Sequence, residues 1–187
     1  MAAAASSCDG VVVVLPPGCA WDGPPVEVAV PGGASRSESV RAGLAAVPAT
    51  AGIVVVHDAA RPLASPALFA AVVAAVRAGA DGAVPGLPVV DTLKRVDGDR
   101  VVETVPRQTL VAVQTPQAFR AGVLRAAHAA AADATDDAAL VEAAGGTVVV
   151  VPGEPDNLKV TTPHDLARAA FLIQERGTAS APERFSR

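Results

Sequence analysis

At 187 residues, with 15 basic against 19 acidic side chains and 51% apolar content, the chain has the size of one domain and enough apolar residues to fill a core. Its net charge of −4 gives nucleic acid no basic footprint, and four Phe, one Trp and no Tyr leave little for base stacking. Cys8 and Cys19 are too few for a disulfide framework and lack metal-ligand spacing, the longest apolar run, Ala67 to Val76, falls short of the roughly 18 residues of a membrane span, and Met1 to Ala5 lacks the basic start of a signal peptide.

The resulting expectation is an acidic protein of the reducing cytoplasm, without nucleic-acid or membrane partners. Its core is built from Val, Leu and Ala. After the Ala-rich start, Val11 to Leu15 is a continuous β-branched run closed by Pro16-Pro17-Gly18, which predicts a buried strand. A Gly-rich turn then precedes a helix over Ser37 to Ala46. Ile53 to Val56 repeats the strand pattern, and Ser65 caps a helix over Pro66 to Ala78, with Pro66 at the first helical position. Val89 to Val96 and Arg100 to Val105 alternate around Asp97-Gly98-Asp99, which predicts a hairpin. Phe119 to Ala132 and Asp136 to Ala144 read as a helical pair, the second introduced by Thr135. Val148 to Val151 is a third apolar strand, and Thr162-Pro163 opens a last helix running to about Glu175.

Strands alternating with helices predict an α/β fold with a mostly parallel, doubly wound sheet. A two-stranded ribbon is not stable alone in water, so the hairpin, about residues 88–107, is expected to pack on a second copy of the chain. Residues 1–176 form the domain. The patternless stretch from Gly177 to Arg187 is expected to be a disordered tail.

Several segments carry chemistry. Gly32-Gly33 permits close backbone approach, and the following helix offers free N–H groups, with Arg36 and Ser39 one turn apart. The same pattern also serves a plain structural turn. His57-Asp58-Ala59-Ala60-Arg61-Pro62 follows directly on a strand, where open α/β sheets bind ligands. Asp58 suits a divalent cation or a ribose hydroxyl and Arg61 a phosphate; the alternative is a capping Asp paired with a nearby Arg. His57 reads as a packed neighbour of the strand end. Asp91-Thr92-Leu93-Lys94 enters the ribbon and Arg107 leaves it. Gln114-Thr115-Pro116-Gln117 precedes a helix, Thr135-Asp136-Asp137 caps another, and Asp156-Asn157-Leu158-Lys159-Val160-Thr161 follows the last strand. Singly, these cations read as solvated surface charges; together, Arg61, Arg107 and Lys159 are placed to converge on a phosphate. No Ser-His-Asp order or Cys-His pairing supports a covalent nucleophile.

In order along the chain these segments spell Gly32-Gly33-Ala34-x-Arg36-x-x-Ser39-Val40-x-x-Gly43-Leu44, Val56-His57-Asp58-Ala59-Ala60-Arg61-Pro62, Pro88-Val89-x-Asp91-Thr92-Leu93-Lys94, Gln114-Thr115-Pro116-Gln117-Ala118-Phe119, Thr135-Asp136-Asp137-Ala138 and Asn157-x-Lys159-Val160-Thr161. From about Val11 to Arg176 the chain thereby resembles the 2-C-methyl-D-erythritol 4-phosphate cytidylyltransferases of non-mevalonate isoprenoid synthesis. Ribitol 5-phosphate cytidylyltransferases share much of the pattern.

The resemblance implies a Rossmann-like nucleotidyltransferase fold and a homodimer joined by the ribbon. It implies attack of a sugar-phosphate oxygen on the α-phosphorus of CTP, with Mg²⁺ bridging the phosphates. Such chemistry rests on positioning and charge neutralisation. By motif, Gly32, Gly33, Arg36 and Ser39 would meet the nucleotide, and Asp58 would lie between nucleotide, metal and sugar phosphate. Arg61, Thr115 and Lys159 would hold methylerythritol phosphate, with Thr92 and Arg107 reaching in from the partner. Arg107 and Lys159 match the positions that orient the attacking phosphate.

The chain departs from the family pattern at its beginning. The family opens with a strand and a loop of the type A-A-G-x-G-x-R-x-G, followed by P-K, which wraps the triphosphate; Val11 to Leu15 matches a later strand. The expectation is a truncated form of a domain of about 230 residues. It would have open strand edges where a central strand is missing, and negligible cytidylyl transfer by residues 1–187. A non-catalytic, dimerising sugar-phosphate binder is the alternative. Because the sequence ends soon after its last helix, no fused second enzyme is expected within it.

Overall fold

The β-branched runs fold as strands and the capped segments as helices, in a computed structural model that describes residues 2–130 and 136–179. A short helix, α1 (Ala2–Ser7), leads into β1 (Val12–Leu15), which pairs in parallel with β2 (Val28–Pro31). The sequence reading missed β2. Its signal is the alternation Val26-Glu27-Val28-Ala29-Val30, and its exposure alternates accordingly. Helix α2 (Arg36–Ala46) begins one residue earlier than expected, at the N-cap Ser35. Ser35 and Glu38 there form a reciprocal capping box. β3 (Ile53–Val56) and α3 (Pro66–Arg77) follow as anticipated, with Ser65 capping Leu68 N–H.

β4 (Gly82–Pro88) is the spine of a five-stranded sheet. The ribbon is β5 (Leu93–Asp97) and β6 (Arg100–Val105), joined at Gly98, whose φ of 58° suits a residue without a Cβ. β7 (Val111–Val113) and β8 (Gln117–Arg120) run antiparallel along one edge of β4, and β9 (Val148–Pro152) pairs with its other edge in parallel. β3 completes the sheet by pairing antiparallel with β8. The sheet is therefore mixed: β3, β4 and β9 share one direction, and β7 and β8 oppose it. The expected mostly parallel arrangement fails at β8, because the chain returns from the ribbon without a helical crossover and so runs antiparallel to β4. For the same reason Phe119, expected to start a helix, lies in β8; α4 begins after it (Ala121–Ala130).

Helix α5 (Asp137–Ala143) is capped by Asp136 rather than Thr135, which lies outside the described residues. Helix α6 (Pro163–Ala179) extends past the expected end near Glu175 and takes in residues assigned to the tail; the remaining tail, 180–187, lies outside the described residues.

Period-two alternation divides the strands between two cores. Val54, Val84 and Phe119 pack on one face with Leu44 of α2, Leu124 of α4 and Val141 of α5. Ala83 and Ala118 point to the other face, against Val72 and Val76 of α3. β1 and β2 form a separate two-stranded sheet, tied to the body by α2, which packs on both strands and on α4.

Candidate functional site

Because β3 and β9 run the same way and β8 the opposite way, the segments after β3 and β9 and the turn before β8 emerge on one side. There His57 to Arg61, Gln114 to Pro116 and Gly153 to Val160 meet, joined by a Val160 N–H donating to the Ala60 carbonyl at 2.7 Å. Asp58, 21% exposed, pairs through Oδ2 with Lys159 Nζ at 2.9 Å. The Arg61 guanidinium donates from Nη1 to the Asn157 carbonyl at 2.8 Å, while its Nε is buried with no partner among the described residues. Burial lowers the Arg61 pKa, opposed by the Asp58 charge. Asp58, Arg61, Thr115 and Lys159 are thus brought together as the sequence predicted.

Thr115 and His57 set the backbone of this cluster. Burial holds the His57 pKa below its usual value, with the hydrogen bond to Arg61 acting against it, so the ring is neutral at pH 7. Nε2 lies 3.0 Å from the Arg61 carbonyl, which only accepts; Nε2 therefore carries the proton, and Nδ1 accepts from Thr115 Oγ1 at 3.0 Å. Thr115 Oγ1 in turn accepts from the Asp58 N–H at 3.0 Å. The hydroxyl expected to grip a substrate phosphate has already committed its proton to His57 and orients Asp58.

Sequence reasoning quoted Asn157 and Gln114 within motifs but assigned them no role. Asn157 is fully buried, and its Nδ2 donates to the Thr115 carbonyl at 2.8 Å. The Gln114 amide donates to the carbonyls of Glu154 and Asn157 at 2.9 and 3.2 Å and accepts from the Glu154 N–H at 3.1 Å. Glu154 also takes the Ser65 hydroxyl, tying the start of α3 to the same network.

The second cluster lies at the start of α2. The Gly32 N–H donates to the Leu15 carbonyl at 2.7 Å, and the Gly33 N–H to Ser39 Oγ at 3.2 Å. A Cβ on Gly32 would come within 2.6 Å of Ser39 Oγ, and one on Gly33 within 2.3 Å of Glu38 Cβ, so both glycines are required by close approach. Arg36 turns its guanidinium onto Asp137, with Nη2 to Oδ2 at 2.7 Å. Thr92 and Arg107 lie at the base of the exposed ribbon, where Arg107 donates to the Val90 carbonyl. Among the described residues neither makes a hydrogen bond or ion pair to the Asp58–Lys159 cluster.

Comparison with known proteins shows which family the chain belongs to. A model of the family described as IspD, 2-C-methyl-D-erythritol 4-phosphate cytidylyltransferase, matches residues 1–175. The chain belongs to this family. The 2-C-methyl-D-erythritol 4-phosphate cytidylyltransferase of Nocardia farcinica is 55% identical across 82% of this chain and 67% of its own length. The bifunctional enzyme IspD/IspF of Anaeromyxobacter dehalogenans is 50% identical across 92% of this chain and 48% of its own. The crystal structure of the Thermus thermophilus cytidylyltransferase superposes with a TM-score of 0.81 at 42% identity, covering 92% of this chain and 86% of that one. The family is one of nucleotidyltransferases, and the resemblance read from six motifs is borne out together with its α/β fold. The chain spans about two thirds of the first relative and about half of the bifunctional one.

Proposed function

We propose that this chain binds CTP and 2-C-methyl-D-erythritol 4-phosphate for transfer of CMP to the sugar phosphate. An oxygen of the sugar phosphate bonds to the α-phosphorus of CTP as the bond to the β-phosphate breaks, and pyrophosphate leaves. The convergence of Asp58, Arg61 and Lys159 at the ends of β3 and β9, in a chain of this family, carries the reading. Arg61 and Lys159 supply two cations for the attacking phosphate, and the loop from Gly32 to Ser39 supplies the nucleotide side.

Among the described residues no group of three or more His, Cys, Asp or Glu side chains stands ready to hold a metal ion. A lone, partly exposed carboxylate such as Asp58 nevertheless fits Mg²⁺, which usually takes one or two carboxylates alongside substrate phosphates and water. Asp58 would hold the ion, which when bound supplies charge neutralisation for the phosphates.

A second copy of the chain completes this reading. The ribbon exposes Val96 and Val101, 58% and 54% accessible and paired directly across its strands. Packed on a partner it would bury them and carry Thr92 and Arg107 toward the neighbouring sugar phosphate. Sedimentation velocity tests this: a dimer is expected, and Val101→Asp is expected to yield monomers.

Titration calorimetry tests the substrate assignment. Binding of methylerythritol phosphate in preference to ribitol 5-phosphate is expected; preference for ribitol 5-phosphate would reassign the sugar, and binding of neither would overturn the reading. No helix among the described residues is long and apolar enough to cross a membrane.

A further inference from the structure

Asp137 is the most deeply placed carboxylate among the described residues, fully buried at the start of α5. It has no part in capping that helix, since Asp136 accepts the Ala139 N–H at 2.9 Å. Instead it joins three helices. Oδ2 receives Arg36 from the first turn of α2 at 2.7 Å, and Oδ1 receives His128 Nε2 from α4 at 2.9 Å.

Burial acts to raise the Asp137 pKa, but the hydrogen bonds from His128 and Arg36, with their charges, bring it below the ordinary carboxylate value. The group is an anion at neutral pH, so His128 Nε2 carries the proton and donates. His128 Nδ1 is buried with no partner among the described residues, so nothing there competes with Asp137 for the ring.

Arg36 itself is 34% exposed, at the mouth of the Gly32–Ser39 loop. Burial acts to lower its pKa, yet Asp137 first, then Asp58 and Asp136, raise it above the ordinary value. The contact that fixes the guanidinium is the one to Asp137, which is buried and held from its other oxygen by His128.

We propose that Asp137, oriented by His128, is a positioning residue that holds Arg36 at the nucleotide loop. It acts through Arg36 and touches neither substrate. The inference rests on the nucleotide reading of the Gly32–Ser39 loop. Without Asp137, Arg36 would lose its buried anchor, the first turn of α2 would lose its tie to α5, and the nucleotide side would loosen while the sugar-phosphate cations stayed in place.

Calorimetric titration of the 187-residue chain with CTP and, separately, with methylerythritol phosphate tests it. Asp137→Asn is expected to weaken CTP binding about tenfold, within the range for residues coupled in one network, and to leave methylerythritol phosphate within about twofold. Arg36→Gln, which keeps an amide donor for the buried Asp137 carboxylate, is expected to weaken CTP equally. The double variant Arg36→Gln/Asp137→Asn should be no worse than Arg36→Gln alone. His128→Gln, which keeps a donor for Asp137, should stay within about twofold of the unaltered chain. A merely structural Asp137 would weaken both ligands together and add to Arg36→Gln, and either result overturns the proposal. CTP affinity unchanged in Asp137→Asn overturns the proposal alone. Absence of CTP binding by the unaltered chain overturns the nucleotide reading and the proposal with it.

Discussion

Asn157→Ala removes a side chain that ties the site together from within the protein. Its Nδ2 donates to the Thr115 carbonyl at 2.8 Å and to Gln114 Oε1 at a long 3.4 Å, while Oδ1 is buried without a partner among the described residues. Truncation strands the Thr115 carbonyl, at a cost of about 1–3 kcal/mol. The void left behind adds ~1 kcal/mol. Loss of the unpaired Oδ1 works the other way, relieving about 1 kcal/mol of desolvation. The net loss is about 2 kcal/mol. For a chain of this size each kcal/mol moves Tm by roughly 2–4 °C, which gives a fall of ~4–8 °C. The backbone carbonyl that holds Arg61 survives the substitution, so the site loosens and does not collapse. Calorimetric melting and ligand titration read both effects: methylerythritol phosphate affinity should fall more than CTP affinity. A Tm within about 1 °C of the unaltered chain would refute the argument that Asn157 secures the turn before β8.

Three further outcomes follow from the same contacts. Lys159→Ala breaks an ion pair whose lysine is 48% exposed, so stability should change by under ~1 kcal/mol. Methylerythritol phosphate affinity should fall about tenfold or more, as for loss of a charged hydrogen bond; an unchanged affinity places the phosphate elsewhere. Gly33→Ala sets a Cβ within 2.3 Å of Glu38 Cβ, a part of the side chain that cannot swing aside. The helix start must shift at about 1–3 kcal/mol, visible as a lower Tm and weaker CTP binding, whereas a neutral result would show that the turn yields freely. Asp165 accepts from the N–H and hydroxyl groups of Thr161 and Thr162, the Thr161 N–H foremost, and its pKa is pushed down to about 2. A folded pKa below the unfolded one gives stability that is present above the ordinary carboxylate value and lost as pH falls from about 4 to about 2. Carboxyl NMR titration should find that low midpoint, and Asp165→Asn should flatten this part of the acid-stability curve; a midpoint near 4 refutes the account from these hydrogen bonds.

What the sequence revealed of the fold follows the range of the forces involved. Ser65-Pro66 and the valine runs of β3 and β9 act within a few residues, and their elements lie where local rules put them. The direction of β8 depends on partners far away in sequence: its residues pair with β3 on one side and β4 on the other. A buried strand of four residues followed by an Ala-rich helix reads locally as one long helix, and only the sheet separates Phe119 from Ala121. β2 escaped for a different reason, since Pro24-Pro25 masks a short alternation that becomes a strand only against β1.

The site divides the same way. Asp58, Arg61 and Lys159 stood out because their segments follow apolar strands, and the sheet direction places them together. The residues that hold them were read as motif letters without a task. Asn157 and Gln114 work through backbone carbonyls of other segments, and no spacing rule reports on those. The pair Asp136-Asp137 shows the principle in its simplest form. Two acids at a helix start are read as one cap, and one cap needs one acceptor. Asp136 fills that local task through Ala139, so the second acid must be satisfied by something else. Since it is buried, that partner has to be a donor brought in by tertiary structure; here it is Arg36, with His128 on the other oxygen. A motif that offers two candidates for one local role thus leaves a residue over, and in this chain the residue left over connects the start of α2 to the body of the fold.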